Sequence, residues 1–504
     1  MRSYSTFWLF SWLFFSSLGA WAQQEARIWY FDSRIGFDFS AGAPRPLVNS
    51  ARPVGPACVS LTDKRTGQLL FYSDATRIWN RQHRLMPHGD SLLGAYTILQ
   101  GALALPVPGQ DQQYYLFTLA PGAPDPGLSP AAILRYSVLD LRLDNGLGDV
   151  VAGQKNQVVA GAVNYQLCAV PHRNGRDYWL LTRQWDSNVF GVYLVSAQGI
   201  ALARTQAIGP APGKLRDIEG FLKASPDGRK VAYVTSETLP VSLFDFDAAT
   251  GEFSHYLNLG KLLSACGLSF SPDNSKLYVQ NYSLLPNQGP AGRLRNIISQ
   301  FDLAAGSDAA IIASGLSIVA NNADTNIRAD EQTANGDYAL QLGPDGRLYG
   351  NSSYQDPGVP RVAGVENLYV INAPNRRGFA CDVQYQRFDF AGGDIYTGSF
   401  GGLPSFLESY FDGLEPVPRA CAGFTLSIFP NPTTSTFQLH APEACFTPYH
   451  VVLYNAVGQR VYEQAITSAL SPVVDIQLLA PGVYVVEAQV SDTYWRGKVL
   501  KGPG

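Results

Sequence analysis

Acid/base chemistry needs two titratable groups brought to one point, and this chain offers few such groups. Asp217 and Glu219 in LRDIEGF stand just before a β-patterned run, and Asp337 with Tyr338 stands before another. Carboxylates carried by separate elements could work on a glycosidic bond if held roughly 5 to 9 Å apart. On sequence alone the preferred reading is that they are solvated loop carboxylates. His172, which follows Pro171, and His83 with His88 in QHRLMPHG are the other titratable candidates. Each is alone in its segment, and turn capping or surface exposure accounts for it. The run from Asn321 to Asp337 is acidic and could bind a cation, but its Asn, Asp, Gly and Thr are also what a long solvated loop requires. Trp79, Trp179, Trp185 and the Tyr114-Tyr115 pair could stack on sugar rings if exposed, although Trp179 lies in an alternating run that favours packing.

No nucleophile elbow, HExxH, Walker loop, EF-hand loop or dinucleotide fingerprint is present, so no cofactor is expected. The six cysteines (Cys58, Cys168, Cys266, Cys381, Cys421, Cys445) show no zinc spacing, so no metal is expected either. Cys58, Cys168 and Cys266 sit in short apolar strands and read as buried small hydrophobes. Cys421 and Cys445 flank a predicted hairpin and are the most plausible disulfide pair.

The elements that would position these groups are β-strands. Charged residues are 15% of the chain against roughly 25% in ordinary soluble domains. There are 48 Gly, 33 Pro, 26 Phe and 26 Tyr. Turns and aromatic strands are therefore favoured, and helical bundles and coiled coils are excluded. With 37 basic and 41 acidic residues and no basic run longer than a pair such as Arg376-Arg377, nucleic acid is not an expected partner.

Residues 1–22 carry Arg2, an apolar stretch from Phe7 to Leu18, and Ala20 and Ala22 around Trp21. This is the pattern of a secretory signal peptide cut between Ala22 and Gln23. The apolar core of about 12 residues is short of the roughly 20 needed to span a bilayer, and no later run is long enough, so no transmembrane segment is expected in the mature chain.

From residue 26 to about 412 an apolar strand, a Pro/Asp/Gly turn and an aromatic or β-branched strand recur. Six copies begin at Ala57, Leu103, Leu167, Phe221, Leu268 and Leu340. In Ser225-Pro226-Asp227-Gly228 and Gly343-Pro344-Asp345-Gly346, Pro presets φ, Asp bonds back to the backbone and Gly accepts positive φ. Further strands follow several copies, giving units of about four strands that protect one another's edges by radial stacking, as in a β-propeller. Strands in Gly401–Phe411, completed by Ala26–Ser33 and Gly36–Ser40, predict a seventh blade. Six blades result if 401–411 only packs beneath the ring. The fold class is all-β, with the propeller at 23–412, a linker at 413–423 and a small immunoglobulin-like sandwich at 424–504.

The segments IWYF and GFDF with the following AGAP (Ile28 to Pro44), GQLLFYSDATRIWNRQHRLMPHG (Gly67 to Gly89), the S-P-D-G repeats and GLPSFLESYF (Gly402 to Phe411) resemble exported Bacteroidetes-type propellers with WD/YVTN-like repeats. At the C-terminus, FPNPTTSTFQLH, LYNAVGQRVYE, LLAPGVYVVEAQ and WRGKVLK resemble, in order and spacing, the type A sorting domain of the type IX secretion system. Pro430, Asn431, Pro432, Gly458, Gly482, Tyr484, Lys498 and Lys501 carry that resemblance. It implies handling by the type IX machinery and a secreted or outer-surface location. The charge of Lys498 and Lys501 is equally explained by solvated strand-edge lysines.

The functional expectation is a binding or interaction module whose ligand is a glycan or a protein. The alternatives are a channel-mouth hydrolase or lyase acting on polysaccharide, and a structural part of a surface adhesion or gliding apparatus.

Overall fold

The computed structural model describes residues 24–31, 33–53, 55–122, 131–212, 220–235, 239–285, 293–318, 339–351, 365–390, 402–414, 427–440, 449–466, 473–490 and 493–502. The recurring turn shows why the hairpins form where they do. In Ser225-Pro226-Asp227-Gly228 the Ser225 N–H donates to Lys230 O, and Gly228 N–H returns to Ser225 O with Gly228 at φ 70°. The Ser225 hydroxyl donates to Asp227 Oδ1 (2.6 Å), which also accepts Arg229 N–H (3.0 Å). The next copy, Ser271 to Lys276, repeats these bonds with Asn274 at φ 63° in the glycine position. Asn is the residue best able to replace Gly there.

All six expected hairpins are antiparallel strand pairs: Val59–Thr62 with Leu69–Ser73, Ala102–Pro106 with Gln113–Pro121, Gln157–Pro171 with Tyr178–Gln184, Gly220–Ala224 with Lys230–Thr235, Leu263–Phe270 with Lys276–Leu285, and Leu340–Leu342 with Leu348–Asn351. From Gly220 onward each hairpin opens a four-stranded antiparallel sheet in simple sequential order. Between Ala102 and Ala207 two such groups are fused into one eight-stranded sheet, because the long strand Gln157–Pro171 pairs with Ala132–Asp140 through its first half and with Tyr178–Gln184 through its second.

The first strands of successive sheets pack against one another, and one continuous core runs through all of them. Neighbouring hairpin tips meet on one face: Asp227 N–H donates to Asn274 Oδ1 (3.0 Å), and Arg173 N–H donates to Ala248 O (2.9 Å). At the two ends of the chain of sheets, Phe37 lies 4.7 Å from Phe388 between ring centroids. The sheets therefore close on themselves in a propeller-like ring.

The expected strands of 401–411 do not form. Residues 402–407 have no regular structure, Glu408–Phe411 is a 3-10 turn, and Ile28–Phe31, Ile35–Asp38 and Arg45–Leu47 make a sheet of their own. The reason lies in the spacing of the apolar residues. Leu403, Phe406, Leu407, Tyr410 and Phe411 are all buried at intervals of three and one, which is not the period of two that a strand with one buried face requires.

The C-terminal region has a separate core around Phe437, Leu453, Val486 and Val499. Seven strands of the described residues form two antiparallel sheets. One is Ser427–Phe429, Thr436–His440 and Val473–Asp475. The other has the order Arg460–Ile466, Tyr449–Tyr454, Gly482–Val490, Thr493–Lys501. No helix among the described residues is long and apolar enough to cross a membrane.

Candidate functional site on the ring axis

Propeller chemistry is placed where inner strands converge, so the axis decides what this ring can do. Among the described residues, 402–414 pack against the inner strands there. The Ser405 N–H donates to Cys58 O (3.0 Å), at the head of the inner strand Val59–Thr62, and the Cys58 thiol donates to Gly402 O (3.3 Å). A methyl on Gly402 would overlap the Pro56 carbonyl, so glycine is required for this close approach. Phe406 packs on Trp29 with ring centroids 5.6 Å apart.

Deeper in, Glu408 Oε1 accepts from Lys223 Nζ at 2.8 Å, with both side chains buried. Lys223 comes from the inner strand Gly220–Ala224 and also donates to Gln341 Oε1 (2.5 Å) of the inner strand Leu340–Leu342. The unpaired edge of Gly220–Ala224 is met by the Gln100 side chain, which donates to Leu222 O (3.0 Å) and accepts Leu222 N–H (2.8 Å). One side-chain amide thus imitates a neighbouring strand and satisfies buried backbone groups.

These residues, with Cys168, Ser405 and apolar neighbours, line a cavity of about 10 Å³. That is room for one water, against roughly 300 Å³ or more for a small-molecule site. Burial pushes the Cys168 thiol well above its ordinary range, and the Glu408 carboxylate adds to the effect, so Cys168 stands as a protonated thiol with no nucleophilic character. The axis is a seated polar contact within an apolar plug.

The sequence-predicted residues are distributed elsewhere. Asp217, Glu219, Asp337 and the run 321–337 lie outside the described residues, as do Ala22, Gln23, Cys421 and Cys445. His172 sits in a hairpin turn, where its Nδ1 accepts Asn174 N–H (3.0 Å) and its ring stacks on Trp179 at 5.0 Å. Trp179 is buried and donates to Ala248 O (2.9 Å) of the next sheet, so it packs sheets together. Trp79 is buried and stacked on Tyr72, and Tyr115 is buried beside Phe117. His83 contacts Tyr72 OH and Asn49 Nδ2 at 3.2 and 3.0 Å, and His88 contacts Asp149 at 2.6 Å. Cys58, Cys168 and Cys381 are buried, and Cys266 lies in the strand Leu263–Phe270. No group of His, Cys, Asp and Glu among the described residues could hold a metal ion.

Sequence reasoning missed Lys223, Gln341, Glu408 and Gln100. A signal was present for two of them: Lys223 stands inside the apolar strand FLKA, and Glu408 inside the apolar run FLESYF. A charge in such a setting must be paired when buried.

In the C-terminal region the residues of the FPNP segment serve the last strand. Asn431 Nδ2 donates to Lys498 O (2.7 Å), and its Oδ1 accepts Leu500 N–H (2.9 Å), which covers the edge of Thr493–Lys501. Pro430, Pro432 and Lys498 are exposed. Lys501, in contrast, is buried, and its Nζ donates to Gln477 O (2.8 Å) and to Leu479 O. The Tyr484 hydroxyl donates to Ala480 O (2.6 Å), so both residues pin the 477–480 turn that leads into Gly482. Gly458 at φ 78° closes the Asn455–Gln459 hairpin turn.

Residues 427–501 match the secretion system C-terminal sorting domain. A chain with this domain is exported by the type IX secretion system to the cell surface or the medium. No curated protein matches the chain. Among solved structures it is similar to a putative 6-phosphogluconolactonase from Bacteroides uniformis, with 13% identity, TM-score 0.34, and coverage of 83% of this chain and 98% of that one. A periplasmic gluconolactonase from Pseudomonas aeruginosa shows 12% identity and TM-score 0.34 over 81% of this chain and 94% of that one. A quinonprotein alcohol dehydrogenase-like protein from Bacteroides thetaiotaomicron shows 12% identity and TM-score 0.36 over 76% and 78%. Likeness of this extent supports no assignment of activity.

Proposed function

We propose that the mature chain, beginning at Gln23 after removal of residues 1–22, is an exported propeller-like binding module that acts at the cell surface or in the medium on a glycan or a protein. The observation that carries this reading is the packing of residues 402–414 against the inner strands. The point where a propeller enzyme would hold its substrate is occupied by Phe406 and Glu408, and the charge there is matched by Lys223. A ring packed in this way offers ligands its faces and rim. The extracellular destination supplies glycans and surface proteins as the available partner classes. The 424–504 unit addresses the protein to the type IX machinery, and the ring carries the ligand specificity.

The reading is tested by presenting the mature chain to a glycan array and, in parallel, to soluble surface polysaccharides with assay for new reducing ends or unsaturated products. Binding without turnover is expected. Turnover that is abolished by Asp217→Asn, Glu219→Gln or Asp337→Asn would replace the binding module with an enzyme.

A further inference from the structure

The plug does more than fill space, because its two ends are held at opposite ends of the inner strands. Gly402 and Ser405 are fixed at Pro56–Cys58, immediately before the inner strand Val59–Thr62 begins. At the other end, Gly413 N–H donates to Pro272 O (3.0 Å) and Asp412 Oδ1 accepts Asn274 Nδ2 (2.9 Å). Pro272 and Asn274 belong to the hairpin turn that follows the inner strand Leu263–Phe270. Hairpin tips of neighbouring sheets share one face, as Asp227 and Asn274 show. The segment therefore enters at the face where inner strands start and leaves at the face where they turn.

Along this path it touches sheets from all round the ring. Phe406 meets Trp29 of the first sheet, Ser405 meets Cys58 before the second, and Glu408 meets Lys223. Lys223 in turn holds Gln341 of the last sheet in chain order within the ring. Partners this far apart in sequence come together only when the ring is assembled. A buried Glu without its Lys is strongly disfavoured, so the segment has no favourable seat in a partly assembled ring.

We propose that residues 402–413 act as a closing plug that couples completion of the ring to presentation of the sorting domain. Seating the plug fixes Asp412 and Gly413 at the hairpin face, and the export address that follows them in sequence is offered by finished rings. The coupling rests on export through the sorting domain, whereas the plug itself does not.

Hydrogen exchange on the intact mature chain tests the plug alone. The amides of Ser405 and residues 407–411 should exchange together with those of Gly220–Ala224 and Leu340–Leu342. Exchange at least tenfold ahead of those strands would overturn the plug while leaving export untouched. The coupling is tested in cells with full-length Lys223→Glu, Glu408→Lys and the double exchange. Each single variant should accumulate in the periplasm and be cut by added protease within 402–414, and the double exchange should recover both secretion and protection. Single variants that are cut there yet secreted at the normal level would overturn the coupling, as would a double exchange no better than the singles. Deleting 427–504 separates the readings: it must block secretion if the sorting domain is the address, whatever the plug does.

Discussion

Trp29 and Tyr349 lie edge to face with ring centroids 5.7 Å apart, which joins the first sheet of the ring to the last across 320 residues of chain. Trp29 is fully buried, donates to Ala26 O (2.8 Å), and touches Phe39 and Phe406 as well. One side chain thus contributes to ring closure and to the seat of the plug.

Replacing Trp29 with Ala removes these contacts and leaves a cavity that the surrounding sheets can fill only in part. The expected loss is about 3–5 kcal/mol, read as a fall in the denaturant midpoint of the mature chain. Trp29→Phe keeps part of the ring contact but loses the bond to Ala26 O, and a smaller fall is expected. Equal midpoints for wild type and Trp29→Ala would show that the ring is closed by other contacts.

The hairpins were legible in the sequence because their causes are local. Pro226, Asp227 and Gly228 dictate a turn within four residues, and the flanking strands need only alternate. The plug was not legible as a plug, because what seats Glu408 is Lys223, 185 residues away. The run 401–411 offers two short strands about a Pro-containing turn in the sequence, although the apolar spacing of three and one from Leu403 to Phe411 argues against a two-faced strand. Lys501 shows the same limit in the sorting domain. Alternation placed it on a strand, but the carbonyls of Gln477 and Leu479 that bury its charge belong to a turn that the pattern does not connect to it.

Two histidines give stability opposite dependences on pH. Burial lowers the affinity of His83 for a proton, and its neighbours agree: with Nδ1–H toward the Tyr72 oxygen, Nε2 accepts from the Asn49 amide. The unfolded chain takes up that proton at higher pH than the folded one, so stability falls as pH drops through the ordinary histidine value of 6.5. His255 is the reverse case. Its ring N–H groups donate to Asp308 and to Asp245, and these hydrogen bonds, the Asp308 one first, raise its proton affinity. Its contribution is complete below 6.5 and is lost as pH climbs through the raised folded value. Because His255 is nearly half exposed, solvent screens the gain and the effect is small. His83→Asn and His255→Asn are suitable probes, since both positions have positive φ, 61° and 49°, which Asn tolerates. Melting temperatures measured from about pH 5 to about pH 9 should show a flatter acid limb for His83→Asn and a flatter alkaline limb for His255→Asn.

Lys498 and Lys501 occupy the same strand, three residues apart, yet the structure gives them different work. Lys501 is buried with its ammonium donating to two turn carbonyls, and removing the donor leaves both acceptors without it. Lys501→Met should therefore destabilise the sorting domain by about 1–3 kcal/mol. Lys498 is exposed, and Lys498→Met should leave stability within about 0.5 kcal/mol of wild type. Secretion separates charge recognition from folding. If the machinery reads a basic side chain on this strand, the ammonium it can reach is that of Lys498. Lys498→Met should then lower secretion at unchanged melting temperature, whereas Lys501→Met should lower secretion and melting temperature together. Normal secretion of Lys498→Met would remove charge from what is recognised on this strand and leave the turn held by Lys501 and Tyr484 as the feature that matters.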